Sequence, residues 1–372
     1  MKVLYLNFLR QTNTGVGKKT IAQIKGLRAN EVEVVEVLAS QLLEGCQQLR
    51  SRRLMTTYKL RKSVISLCFE KIRTEHPEVV YCRFPGSDFS FYYFVSRSPI
   101  PVITEHNTVE ILERRQHRDL RYFSELFLGK AVRKKIDGFV GVTREITEHQ
   151  QQRAGGTKIS LVNGNGIDVN SVPLRTPPVF DGKNLDLLCV AQVAKWHGLD
   201  RLIRGIADYK GSVNVILHIV GDGSEVPNLK KLVWDLRIDD SVFFYGFKTD
   251  KELSEFFDKC HIAIGSLGIH RKGLTETSEL KVREYCARGI PFVCSVPDSD
   301  FAEEFPYTLR VLSSEETIDI AALISFAEKI CSDNTHSQRM REYAADNLCW
   351  STKMTKVIEF CDRVLKIHSD EK

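Results

Sequence analysis

The sequence predicts an α/β protein built from two doubly wound domains, each a mostly parallel sheet with crossover helices on its faces. Three observations predict it. The chain has 372 residues, more than one ordinary core accommodates, so two domains of roughly 150–200 residues each are expected. Short β-type runs alternate with longer stretches whose apolar residues recur every three or four positions, the βαβ pattern. Several of the short runs are apolar at nearly every position, as in strands buried on both faces of a parallel sheet.

In chain order the first half supplies strands at 2–8, 32–38, 79–84, 101–107, 138–143 and 158–164. The second half supplies them at 185–193, 215–221, 242–247, 261–267 and 290–296. Stretches such as GLDRLIRGIADYK and EVPNLKKLVWDL between them read as crossover helices. The segment 165–184 holds Pro173, Pro177, Pro178 and Gly182 and has no helical period, which suits a hinge. The expected division is therefore a domain over 1–170, a second over 171–350 and a terminal helix within 351–372. That helix gathers Met354, Val357, Ile358, Cys361, Val364 and Leu365 on one face.

Apolar residues make up 42% and charged residues 27%, ordinary values for a globular protein. A net charge of +5 is too mild to demand nucleic acid as partner, and no zinc-ligand spacing or RNP-like aromatic strand appears. The ten cysteines contain no C-x-x-C pair and most lie in apolar runs, so reduced thiols and a cytoplasmic location are expected. No apolar segment approaches the ~20 residues of a membrane span. Residues 50–73 carry eight Lys or Arg and one acid, interleaved with Leu54, Tyr58, Leu60, Val64, Ile65, Leu67 and Phe69. A basic amphipathic helix of this kind either lies on anionic lipid at the inner face of a membrane or is a domain helix with a solvated basic face. The basic stretch 113–123 extends that surface or lines an acceptor site.

The loop after the first strand holds Gly15, Gly17, Lys18, Lys19 and Thr20. A Walker A loop needs Gly, four residues, then Gly-Lys-Ser/Thr; here Lys19 follows Gly17-Lys18 and Thr12 stands where the first glycine belongs, so the NTPase pattern fails. The glycines are expected either to let a backbone approach an anion at a helix N-terminus or to make a tight turn. The segment 268–293 is more informative. Glu276 precedes a helix predicted to start near Ser278, and Glu284 lies about two turns inside it. A carboxylate can accept two hydroxyl hydrogen bonds, as vicinal diols of a sugar require, and the backbone N–H groups around Ser278 to Lys281 would face a phosphate. Taken alone, the spacing also fits two solvated glutamates.

This stretch resembles the retaining glycosyltransferases of the GT-B fold, glycosyltransferase family 4, whose signature is Glu-x7-Glu followed by a small or aromatic residue, x, Ala, x, Gly, x, Pro. Here it reads Glu284-Tyr285-Cys286-Ala287-Arg288-Gly289-Ile290-Pro291. VNGNGID (162–168), LHIVGDG (217–223), VFFYGF (242–247) and KCHIAIGSL (259–267) are similar to further pieces of the family pattern, in the right order. The resemblance implies two Rossmann-like domains with a cleft between them and a C-terminal helix crossing back to the first.

It also implies roles. Glu284 would hold ribose hydroxyls, Glu276 donor-sugar hydroxyls near the reacting carbon, and the loop from Gly15 to Lys19 the donor phosphates or the acceptor. His106 would sit near the donor sugar, although a histidine after a strand is otherwise a packing residue. The family's Arg and Lys clamps on the diphosphate are replaced here by Gln192 and His197. Since a diphosphate leaving group needs positive charge, the substitutes expected are Lys195, Arg271, Lys272 and Lys281, with His197 if protonated.

The implied reaction moves a sugar, with retention, from a nucleoside diphosphate sugar (UDP favoured) to a hydroxyl of a glycan or lipid-linked saccharide in cell-surface polysaccharide synthesis. With no Asp-x-Asp at a strand end, no essential metal is expected. The rival readings are a non-hydrolysing sugar-nucleotide epimerase and a catalytically degenerate GT-B scaffold.

Overall fold

The computed structural model describes residues 1–11, 14–44, 54–114, 119–156 and 158–370. The chain divides into two compact units, one of Met1–Gly166 with Trp350–Lys372 and one of Ile167–Cys349.

The first unit carries a six-stranded sheet in the order β2-β1-β3-β4-β5-β6, parallel throughout. Its strands are β1 (Lys2–Asn7), β2 (Glu33–Leu38), β3 (Val79–Arg83), β4 (Val102–His106), β5 (Gly138–Gly141) and β6 (Ile159–Val162). Leu4, Leu6, Val80 and Cys82 are buried on one face and Val3, Tyr5, Val79 and Tyr81 on the other, which is why these runs do not alternate. The chain order changes direction between β1 and β3, so the carboxyl ends of these two strands flank a switch point, where open α/β sheets take ligands.

Helix Leu54–Glu75 settles the two readings of the basic segment. Leu60, Val64, Ile65, Cys68 and Ile72 are buried in the core of the unit, so its apolar face is packed against the protein. Lys59, Lys62 and Arg73 remain on the exposed side. An apolar face already covered has nothing to insert into a bilayer, and the lipid-lying expectation is corrected to a domain helix with a solvated basic face. Residues 50–53 of that expectation, and 115–118 of the second basic stretch, lie outside the described residues.

The terminal helix Trp350–Asp370 belongs to this first unit and packs on helix Gly15–Ala29. The contact is close because position 26 is glycine: a Cβ there would come within 2.8 Å of the Trp350 carbonyl oxygen and 2.9 Å of Met354 Cγ. Val357, Phe360, Cys361 and Val364 are buried along the same helix.

The second unit carries a parallel sheet in the order β12-β11-β10-β7-β8-β9. Its strands are β7 (Asn184–Val190), β8 (Asn214–Val220), β9 (Val242–Phe244), β10 (Ile262–Ile264), β11 (Phe292–Cys294) and β12 (Thr308–Arg310). The twelfth strand is not predicted from sequence: three residues at a sheet edge, none of them buried, leave no apolar run to read. The switch point of this sheet falls between β7 and β10.

Among the described residues no helix is long and apolar enough to cross a membrane.

Candidate functional site

In the second unit the chain leaves β7 at Val190 and forms one 3-10 turn, Lys195–His197, ended by Gly198. Leu267 N–H donates to the His197 carbonyl and Gly268 N–H to that of Trp196, each at 3.0 Å. The loops after β7 and β10 are thus stitched together across the switch point. Gly198 is required there. Its φ is +62°, and a Cβ would meet Gly268 N and Leu267 C at 2.8 Å.

Beside this turn begins helix Leu280–Arg288, two residues later than predicted from sequence. Its N-cap residue, Glu279, turns its carboxylate toward the end of β10. There it accepts from Ser266 N–H at 3.0 Å and Ser266 Oγ–H at 2.6 Å. Lys281 Nζ lies 3.3 Å from the same carboxylate. Burial alone would raise the Glu279 pKa, but Lys281 and Ser266 outweigh it and hold the carboxyl below its ordinary value. The Lys281 side chain is only 13% exposed, and its ammonium donates no hydrogen bond among the described residues. A mostly buried ammonium with unspent donors, at a helix N-terminus, at the carboxyl end of a sheet switch point, is suited to an anion. Glu279 is the residue that sequence reasoning missed. The only signal for it is Glu-x-Lys at the start of a helix, and such pairs abound on solvated helices.

The other predicted cations fare differently. His197 is buried, with Nδ1 accepting from Ala194 N–H at 3.0 Å. Burial, reinforced by Lys281, pushes its pKa down to about 3, so the expectation of a protonated His197 is corrected: it is a neutral capping group. Arg271 is clamped on Asp200 at 2.7 and 2.8 Å and on Glu315 at 2.6 and 2.9 Å, and donates to the Lys195 carbonyl at 2.8 Å. Two carboxylates neutralise its charge and fix its donors, which corrects its assignment as a phosphate clamp. Lys272 stands over the Trp196 ring at 4.9 Å. Lys195 and Gln192 are exposed.

Glu276 lies half-buried in the segment before the helix. Glu284 is one-third exposed and accepts from Arg288 one turn on, at 2.9 Å.

In the first unit Gly15 and Gly17 are the opening turn of helix Gly15–Ala29, capped by Thr14 Oγ1, which accepts from Gly17 N–H at 3.1 Å. They are therefore helix, not loop. Lys19 is not a surface lysine. Its ammonium is buried against Glu105 at 2.7 Å, Asn107 Oδ1 at 2.7 Å and Asn165 Oδ1 at 2.6 Å. Burial would raise the Glu105 pKa, yet Lys19 and Arg83 bring it down to about 2.

His106 is fully buried, stacked on Phe84, with Nε2 2.9 Å from Thr104 Oγ1 and Nδ1 2.8 Å from Glu110. With both ring nitrogens bonded inside the unit, it is a packing histidine, which corrects its placement at a donor sugar.

Residues 174–347 match the family described as glycosyl transferases group 1. Among solved structures, sucrose-phosphate synthase from Thermosynechococcus elongatus aligns with a TM-score of 0.71 at 13% identity, covering 99% of this chain and 100% of that one. HepE of Anabaena, solved with UDP and glucose, aligns at 0.65 and 14% identity over 98% of this chain and 100% of that one. The lipopolysaccharide outer core galactosyltransferase WaaB aligns at 0.62 and 13% identity over 96% and 99%. No curated protein matches the sequence. The fold is the GT-B fold, with two parallel-sheet Rossmann-like domains and a C-terminal helix. With a group 1 domain on that fold, the chain is a glycosyltransferase, an enzyme of class EC 2.4.

Proposed function

We propose that the protein transfers a sugar, with retention of anomeric configuration, from a nucleoside diphosphate sugar to a hydroxyl on a glycan or lipid-linked acceptor. The donor belongs to the second unit. The observation that carries this reading is the Lys281 ammonium, held beside Glu279 at the N-terminus of helix Leu280–Arg288 and donating no hydrogen bond among the described residues. It would supply the positive charge that a departing diphosphate requires and that neither His197 nor Arg271 can give. Lys195 and Lys272 add charge nearby. Glu284 would turn from Arg288 to the ribose hydroxyls, and Glu276 would hold the sugar. UDP is favoured as the nucleotide, in keeping with the UDP bound by HepE in its solved structure. No metal is essential, so excess EDTA should leave transfer intact.

Slow hydrolysis of a UDP-sugar and UDP binding test this together. Lys281→Ala is expected to weaken UDP binding by about tenfold or more, the cost of a charged hydrogen bond, while Lys272→Ala has a smaller effect. UDP affinity equal to wild type in Lys281→Ala would remove the reading. A scaffold without catalysis is the second reading, favoured by the loss of Arg271 and His197 as cations. Donor hydrolysis abolished by Glu276→Ala would exclude it.

A further inference from the structure

At the carboxyl ends of β1 and β3, the switch point of the first unit, opens a cavity of about 460 Å3. Among the described residues its wall presents Arg10, Arg61, Arg83 and Arg121 with Phe8 and Phe84, and no acidic side chain. The nearest carboxylates stand behind it. Asp88 lies 2.8 Å from Arg61 Nε, and Glu105 lies 3.9 Å from Arg83 but 2.7 Å from Lys19. Arg61 is held in place against the Phe8 ring at 5.1 Å. Burial lowers its pKa, Asp88 opposes this, and Arg121 acts in the direction of burial. The guanidinium groups thus feel one another across the cavity. Four arginines converging on one space make poor structural sense alone, since like charges repel. They make good sense as forks for the paired oxygens of a phosphate or carboxylate.

We propose that this pocket seats an anionic group, phosphate or carboxylate, carried by the hydroxyl acceptor, so that the acceptor is an acidic saccharide and not a neutral one. The proposal rests on the donor reading above, and the test separates the two. The full chain is first titrated with UDP by calorimetry; absence of UDP binding would end the donor reading but leave the pocket testable.

With UDP at saturation, the chain is then titrated with glucose 6-phosphate, glucuronate and methyl glucoside. At least one acidic sugar should bind about tenfold or more tightly than the neutral one, and which of them does so identifies the group. Arg83→Gln and the exposed Arg121→Gln should each weaken that binding about tenfold, with UDP affinity as the internal control and circular dichroism as the check on folding. Equal weak binding of all three sugars, or acidic-sugar affinity unchanged in both arginine variants, would overturn the proposal.

Discussion

Lys281 and Arg271 are both cations near the Glu-x7-Glu stretch, yet the Lys281 ammonium lies 3.3 Å from one carboxylate, that of Glu279, whereas Arg271 is bound by two, Asp200 and Glu315. The same contrast governs pH behaviour. His197 has its pKa pushed down to about 3 by burial, below the ~6.5 of an unfolded histidine. Between those values the unfolded chain binds a proton that the folded one does not. Stability from this group is therefore complete above about pH 6.5 and is lost as pH falls toward 3. His197→Asn, whose amide oxygen can accept from Ala194 N–H, should flatten that slope in denaturant titrations across pH 3–7.

Glu105, brought to about 2 by Lys19 and Arg83 against its burial, also has a folded pKa below its unfolded value. Its contribution holds above about pH 4.5 and is lost on acidification toward 2. Glu105→Gln leaves the buried Lys19 charge uncompensated and should destabilise the first unit by about 3–5 kcal/mol, read as a shift in its urea midpoint. Neither Arg271 nor Lys19 could be assigned from sequence. Asp200 is 71 residues from Arg271, and Glu105 stands on β4, with β2 and β3 between it and Lys19 in the chain.

Elements were legible wherever an apolar pattern is long. Eleven of the strands show as β-type runs, several of them apolar throughout because both faces of a parallel strand are buried, and the terminal helix shows as a stripe. What failed were the cases decided by context. β12 has none of its three residues buried and so carries no apolar run. Helix Leu54–Glu75 has the same amphipathic sequence whether its apolar side meets lipid or protein, and only packing chose the core. The junction of helices Gly15–Ala29 and Trp350–Asp370 depends on a missing Cβ. Gly26→Val would drive its side chain into the Trp350 carbonyl and Met354 and should cost about 1–3 kcal/mol, measurable by urea unfolding of the first unit.

At the scale of the molecule, the first unit is discontinuous: it needs residues from both ends of the chain. Residues 167–349 form a contiguous unit with its own core, and expressed alone they should unfold cooperatively. Residues 1–166 alone lack the helix that covers Gly26 and Gly138, and their thermal transition should be lost or broad. A sharp transition in that fragment, equal to that of the first unit in the full chain, would show the returning helix to be dispensable.

By itself the sequence determined the alternation of strands and helices, the presence of two doubly wound sheets and the stretch that places Glu276, Lys281 and Glu284 at one helix start. Those features are local, written in the period of apolar side chains and in residues a few positions apart. Which charges stay available for a ligand was decided only by the tertiary structure. Ion pairing in a folded chain joins residues distant in sequence, and burial sets which of them can remain charged. That is why His106 and His197 became packing groups, Arg271 a strut, and four arginines from four separate segments the wall of one pocket.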